Sequence, residues 1–308
     1  MLYPHTACLG AGVIGASWAA LLLASGRSVA IHDPAPDAER EVRAYIETAW
    51  PTLTQIGLTA DGTPDAIRFC ASAAEAATGA EFIQESVPER LEIKHALYSE
   101  IEPVLAPGAI VASSTSGLLL GDMQAGWHNP APFVLGHPFN PPHLVPLVEV
   151  MGNHRTGAGV ADAAAAFYDS IGKVTVRVQR EVPGHIANRL QAAIWREAIH
   201  LVQEGVASVG DIDKAMWAGP GLRWAAMGPT ACFDMGGGAG GLQTFCDRLG
   251  DQFNGWCDDL GNARLTPDTI AMMVAGAAEA AGGETREAMQ TRRDAMITAM
   301  QAALKPYR

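Results

Sequence analysis

The sequence predicts an α/β chain in which a doubly wound, mainly parallel sheet is followed by an all-helical second domain. Three observations predict it. Short β-like runs alternate with helical stretches through the first half, a glycine-rich turn separates the first run from the first helix, and the β-like runs stop near residue 183. At 308 residues the chain is long enough for two domains, each with its own core, and the change of period divides it into 1–183 and 184–308.

Taken in order, the β-like runs are 6–9, 28–32, 67–70, 81–84, 110–113 and 133–136. Strands that alternate with amphipathic helices pair in parallel through helical crossovers, which is the doubly wound pattern. Two more runs, 147–151 and 174–178, flank a helical stretch at 157–171 and carry the sheet to about residue 180. Beyond Pro183, helical spacing governs 185–204, 240–256, 267–280 and 285–304, with the glycine-rich segment 236–241 as a loop between helices.

Composition narrows the function. A formal net charge of −12, with no cluster of Lys and Arg, would repel a phosphate backbone, so nucleic acid is not an expected partner. No apolar run approaches the ~20 residues of a membrane span, and the first ten residues lack the pattern of a secretory signal, so the expected location is the cytoplasm. Cys8, Cys70, Cys232, Cys246 and Cys257 are odd in number and widely spaced, which predicts reduced thiols and no metal site.

Gly10-Ala11-Gly12-Val13-Ile14-Gly15 follows a strand-like run and opens a helix-like one, as a dinucleotide-binding turn requires. Gly10 permits the tight turn, Gly12 lets the backbone approach a pyrophosphate, and Gly15 lets the helix pack closely on the sheet. The free N–H groups of the helix N-terminus, including those of Val13 and Ile14, then face the phosphates. Asp33 ends the next run, where a carboxylate accepts hydrogen bonds from the adenosine ribose and repels a 2′-phosphate. Pro34, Ala35 and Pro36 follow it, with no Arg, so this Rossmann-type domain is expected to bind NAD and not NADP.

Oxidation of an alcohol needs a base near its hydroxyl, and histidine suits neutral pH. Among nine histidines, His137 stands out because it ends a strand-like run, and a proline-rich bend then leads to the run containing Glu149. Folding back across that bend would bring the two side chains together, with the carboxylate fixing the imidazole tautomer. The same spacing is compatible with Glu149 in a purely structural pair.

Gly10 to Gly15, Ser113-Ser114-Thr115-Ser116, His137 to Pro142, Leu147 to Val150 and Pro183 to Arg189, in this order, resemble the L-3-hydroxyacyl-CoA dehydrogenase superfamily. The resemblance implies His137 as the base, Glu149 as its orienting partner, and Ser116 and Asn188 as hydrogen-bonding groups near the reacting oxygen. It also implies Glu89 and Lys94, placed in the helix after Val87-Pro88, beside the nicotinamide end of the cofactor, and a homodimer formed through the second domain.

The substrate branch follows from departures. Residues 34–72 contain no Lys and only Arg40, Arg43 and Arg68, too little positive charge for the phosphates of coenzyme A. Pro146 stands just before the Leu-Val-Glu run, and Gly219 to Trp224 follows later, both similar to the branch holding L-gulonate 3-dehydrogenase, lambda-crystallin and carnitine dehydrogenase. The expected activity is therefore NAD-dependent oxidation of a small free 3-hydroxy acid such as carnitine, L-gulonate or a short aliphatic acid. Arg223, read as lying in a glycine-rich turn, would clamp its carboxylate. Trp195, Trp217 and Trp224 are candidates for a cage around a quaternary ammonium. A hydroxyacyl-CoA dehydrogenase and a non-catalytic, crystallin-like NAD-binding protein remain the alternatives.

Overall fold

The computed structural model describes residues 1–307. Its sheet has eight strands: β1 (His5–Leu9), β2 (Ser28–His32), β3 (Ile67–Phe69), β4 (Phe82–Glu85), β5 (Ile110–Ser113), β6 (Phe133–Pro138), β7 (Leu147–Met151) and β8 (Val174–Arg177). Their order across the sheet is β3-β2-β1-β4-β5-β6-β7-β8. All neighbours are parallel except β6 and β7, which the short bend of residues 139–146 joins antiparallel. The chain reverses direction of winding between β1 and β4, and ligands of such sheets bind at that crevice, outside the carboxyl ends of the strands.

Helices α1 (Val13–Ala24), α2 (Ala38–Gln55), α3 (Ala73–Ala77), α4 (Leu91–Ile101), α5 (Leu120–Gln124) and α6 (Val160–Ser170) belong to the same unit. Every residue of α1 from Gly15 to Ala24 is buried. A helix apolar all round can only be covered on all sides, and here the sheet and α2 cover it. On that face Phe82 stacks on Phe167 at 3.9 Å between ring centroids. The opposite face is filled by Ala76, Ile83, Leu97, Tyr98 and Trp127, so both faces of the sheet are dry.

The remaining helices are α7 (Ala187–Gln203), α8 (Val209–Ala218), α9 (Pro220–Ala226), α10 (Pro229–Gly236), α11 (Gly241–Asp259), α12 (Pro267–Ala281) and α13 (Arg286–Leu304). Apolar spacing does not pick out α8, α9 and α10, because each is a short helix whose start depends on a cap or a proline. Ser208 caps α8 through the Asp211 N–H, and Pro220 and Pro229 open α9 and α10. By Cα packing the first unit comprises 1–189 together with 292–306, and the second 190–291 with Tyr307. The part of α13 from residue 292 onward thus packs with the sheet unit, where the Gln301 amide donates to the Leu144 carbonyl.

The bend between β6 and β7 is held from below by Lys173, which is buried and donates its ammonium hydrogens to the Pro142 and Val145 carbonyls. Burial pulls its pKa down from 10.5 to about 7. Between those values the folded chain carries fewer protons than the unfolded one, so unfolding takes up a proton and stability rises with pH. The stability advantage of the wild type over Lys173→Met should therefore grow between pH 7 and pH 9 in urea melts. A difference that stays constant across that range would contradict the assignment.

Candidate active site

The glycine turn follows β1 as expected, and each glycine has its own steric reason. A Cβ on Gly10, where φ is +90°, would sit 2.6 Å from the Ser86 carbonyl oxygen, and one on Gly15 would sit 1.8 Å from that of Gly10. A Cβ on Gly12 would meet nothing within 4 Å. The first two glycines are thus demanded by the protein itself, whereas Gly12 is small beside open space, which fits the approach of a pyrophosphate. Gly12 caps α1 without any side-chain bond, leaving the N–H groups around Val13 and Ile14 for a ligand. Asp33, just past β2, accepts from the Ala11 N–H at 2.7 Å and the Ala35 N–H at 2.8 Å, so the turn and the acid form one unit. These residues fit a dinucleotide.

The next strand end carries a carboxylate that sequence reasoning missed. Glu85, fully buried at the end of β4, accepts from Lys94 Nζ at 2.7 Å, Ser113 Oγ at 2.6 Å, Tyr98 Oη at 2.9 Å and the Val87 N–H at 2.9 Å. Lys94 is buried on α4 and also lies 3.5 Å from Glu89. Glu89 stands in the loop ahead of α4 and not within the helix as expected, because Pro88 and an extended Arg90 delay the helix start to Leu91. It accepts from the Thr115 hydroxyl and from the N–H groups of Ser116 and Gly117 at 2.7 and 3.1 Å. Burial opposes the charge on Glu89, but the Thr115 hydroxyl, Lys94 and those N–H groups outweigh it and hold the carboxyl below its ordinary value.

His137 lies in β6 directly opposite Glu149 in β7, so the antiparallel register puts both side chains on one face. His137 Nδ1 is 2.7 Å from Glu149 Oε2. The other carboxylate oxygen accepts from the N–H groups of Ile186 and Ala187 at 2.8 and 2.9 Å, at the start of α7. Burial pushes the Glu149 pKa up, yet the His137 bond and those two amides prevail and leave it below the usual value. An ionised carboxylate only accepts, so His137 donates through Nδ1, and in the neutral ring Nε2 is the bare acceptor. Asn188, in the first turn of α7, donates to the Ser116 carbonyl at 3.3 Å, which brings these two residues together as well.

Arg223 is placed differently from its expectation: it lies within α9 and is exposed, because Pro220 starts a helix where glycines suggested a turn. Trp195, Trp217 and Trp224 lie on α7, α8 and α9. His185 was also overlooked, being a buried imidazole whose only sequence signal was its place in Pro183-Gly184-His185. Among the described residues no group of three His, Cys, Asp or Glu side chains could hold a metal ion.

Comparison with known proteins places this geometry. The model of the 3-hydroxyacyl-CoA dehydrogenase NAD-binding domain matches residues 5–182, and that of the family's carboxyl-terminal domain matches 184–279. The chain belongs to the 3-hydroxyacyl-CoA dehydrogenase family. It is an NAD-dependent oxidoreductase. It is 45% identical over 290 residues to the L-carnitine dehydrogenase of Streptomyces coelicolor, covering 94% of this chain and 91% of that one. With the L-carnitine dehydrogenase of Pseudomonas putida it shares 41% over 299 residues, 97% of this chain and 93% of the relative. A crystal structure of 5-formyl-3-hydroxy-2-methylpyridine 4-carboxylic acid 5-dehydrogenase, described as an NAD+ dependent dismutase, superposes with a TM-score of 0.84 at 30% identity, covering 99% of both chains.

The contrast between the glycines is testable. Gly12→Ala should fold normally but bind NADH about tenfold more weakly or worse, since its methyl enters the space left for the phosphates. Gly15→Ala should lose about 1–3 kcal/mol of stability by overpacking. Equal NADH affinity in Gly12→Ala, read by fluorescence titration, would refute the placement of the cofactor.

Proposed function

We propose that the chain oxidises the 3-hydroxyl of a small free 3-hydroxy acid to the 3-keto acid with NAD, L-carnitine being the first candidate, and that His137 is the general base. The observation that carries the chemistry is the 2.7 Å bond between His137 Nδ1 and Glu149, which leaves Nε2 free to take the hydroxyl proton. Glu149 stabilises the imidazolium that results. Ser116 and Asn188 supply hydroxyl and amide groups that polarise the reacting oxygen. Bound NAD supplies the hydride acceptor, so the products are the keto acid, NADH and one proton. Gly10, Gly12, Val13, Ile14, Gly15 and Asp33 hold the adenosine and pyrophosphate portion of the cofactor, with Glu89 and Lys94 at its nicotinamide end.

Two lines support a free acid over a thioester. The relatives quoted above are named for carnitine and for a pyridine carboxylic acid, small molecules with no coenzyme A. The segment after β2 is also poor in cations, and its Arg40, Arg43 and Arg68 are paired with Asp37, Glu39 and Glu75. Arg223 is the proposed carboxylate anchor, its guanidinium matching a carboxylate in bidentate fashion.

In this reading residues 1–183 bind the cofactor and 184–308 bind substrate and dimerise. The second unit leaves apolar residues exposed: no residue of α11 is buried, and Leu249, Phe253 and Trp256 form an exposed stripe on it. A second copy of the chain is the proposed cover, and light scattering at the mass of one chain would oppose it. No helix among the described residues is long and apolar enough to cross a membrane, and the cytoplasm is the proposed location.

His137→Gln should bind NADH normally and lose about two orders of magnitude in kcat or more. In the wild type, L-carnitine should yield NADH while 3-hydroxybutyryl-CoA yields little, and Arg223→Met should raise KM for the free acid with less effect on kcat. Turnover of the thioester alone would overturn the substrate class, an active His137→Gln would overturn the base, and an unchanged KM would remove Arg223.

A further inference from the structure

A second imidazole lies against the proposed base, and no role assigned so far uses it. The ring centroids of His185 and His137 are 5.3 Å apart, with the planes inclined by 56°. Phe139 packs against His137 as well, at 5.5 Å between centroids. With Glu149 on Nδ1, the His137 ring is thereby confined, leaving its Nε2 edge as the reactive one.

His185 is held in place at some cost. Its backbone has φ of +50°, in the left-handed region that side chains other than glycine rarely adopt. The preceding turn explains how it gets there: the His185 N–H donates to the Val182 carbonyl at 3.1 Å across Pro183 and Gly184, with Gly184 at φ +74°. The side chain is 1% exposed. Its Nε2 lies 3.3 Å from the Thr115 carbonyl, and since a carbonyl only accepts, Nε2 carries the hydrogen. Its Nδ1 is then a bare acceptor, buried with no hydrogen-bond partner. Burial and the neighbouring His137 both lower the His185 pKa, consistent with a neutral ring.

A left-handed backbone and an unpartnered buried nitrogen are two penalties at one residue, and an apolar ring would avoid the second. What the imidazole provides and an apolar ring cannot is the bond to Thr115, the residue before Ser116. Thr115 and Ser116 are themselves tied to Glu89. From this we infer that His185 is a positioning residue: it braces the His137 ring and, through its Nε2–H, fixes the Thr115–Ser116 loop relative to that base. The inference rests on His137 being the base and Ser116 acting at the reacting oxygen.

The test compares His185→Gln, whose amide nitrogen can reproduce the Nε2 donor, with His185→Phe, which keeps the ring and loses the donor. If the donor positions the loop, His185→Phe should lose about 10- to 100-fold in kcat, the range for removing a group that orients another. NADH affinity and Tm should change little, and His185→Gln should recover most of the lost rate. Equal kcat in Phe and Gln variants, or a kcat loss matched by a collapse of Tm in both, would overturn the inference. His137→Gln measured alongside separates the two readings. If it is inactive while His185→Phe is normal, only the role of His185 falls; if it is active, both fall together.

Discussion

The carboxylate of Glu149 is the constraint on which the rest of the site depends. Left unpaired in the interior, such a charge would cost several kcal/mol, so the fold must bring donors to it. Three converge, one from β6 and two from the start of α7. One buried group therefore sets the tautomer of His137 and anchors the turn from which α7 departs. The antiparallel pairing of β6 with β7, in an otherwise parallel sheet, is what places His137 across from it.

Glu85 has a comparable role at the end of β4. Its four donors come from β4's own exit, from α4 and from β5, so it ties the loop that leaves β4 to α4 and to the end of β5. Lys94 links it to Glu89, and Glu89 in turn collects Thr115, Ser116 and Gly117. Polar side chains at the carboxyl ends of the strands are thus paired to one another, while the two faces of the sheet remain apolar. Networks of this kind are costly when incomplete and rigid when satisfied, which suits groups that must hold a reacting oxygen in place.

Much of this could be read from the residues because the signals were local. The strand, turn and helix around Gly10 to Gly15 are contiguous, and the bend from Pro138 to Pro146 is short enough that His137 had few places to go. Glu85 was missed because its side-chain partners are 9, 13 and 28 positions away, and nothing in its neighbourhood marks it as buried. His185 was passed over for the same reason: its significance lies in a ring contact 48 residues distant in sequence and in a backbone angle imposed by Pro183-Gly184. Arg223 was misplaced because glycines around a proline suggest a turn, whereas Pro220 at a first helical position suits a helix start equally well.

The most direct measurement is kcat of Glu149→Gln. The two N–H groups of Ile186 and Ala187 require an oxygen facing them, so the introduced carboxamide would turn its NH2 toward His137. That donor would force the His137 proton onto Nε2 and remove the lone pair that accepts the substrate proton, lowering kcat by about three to four orders of magnitude with NADH affinity preserved. A variant that folds, binds NADH and turns over near the wild-type rate would contradict the account.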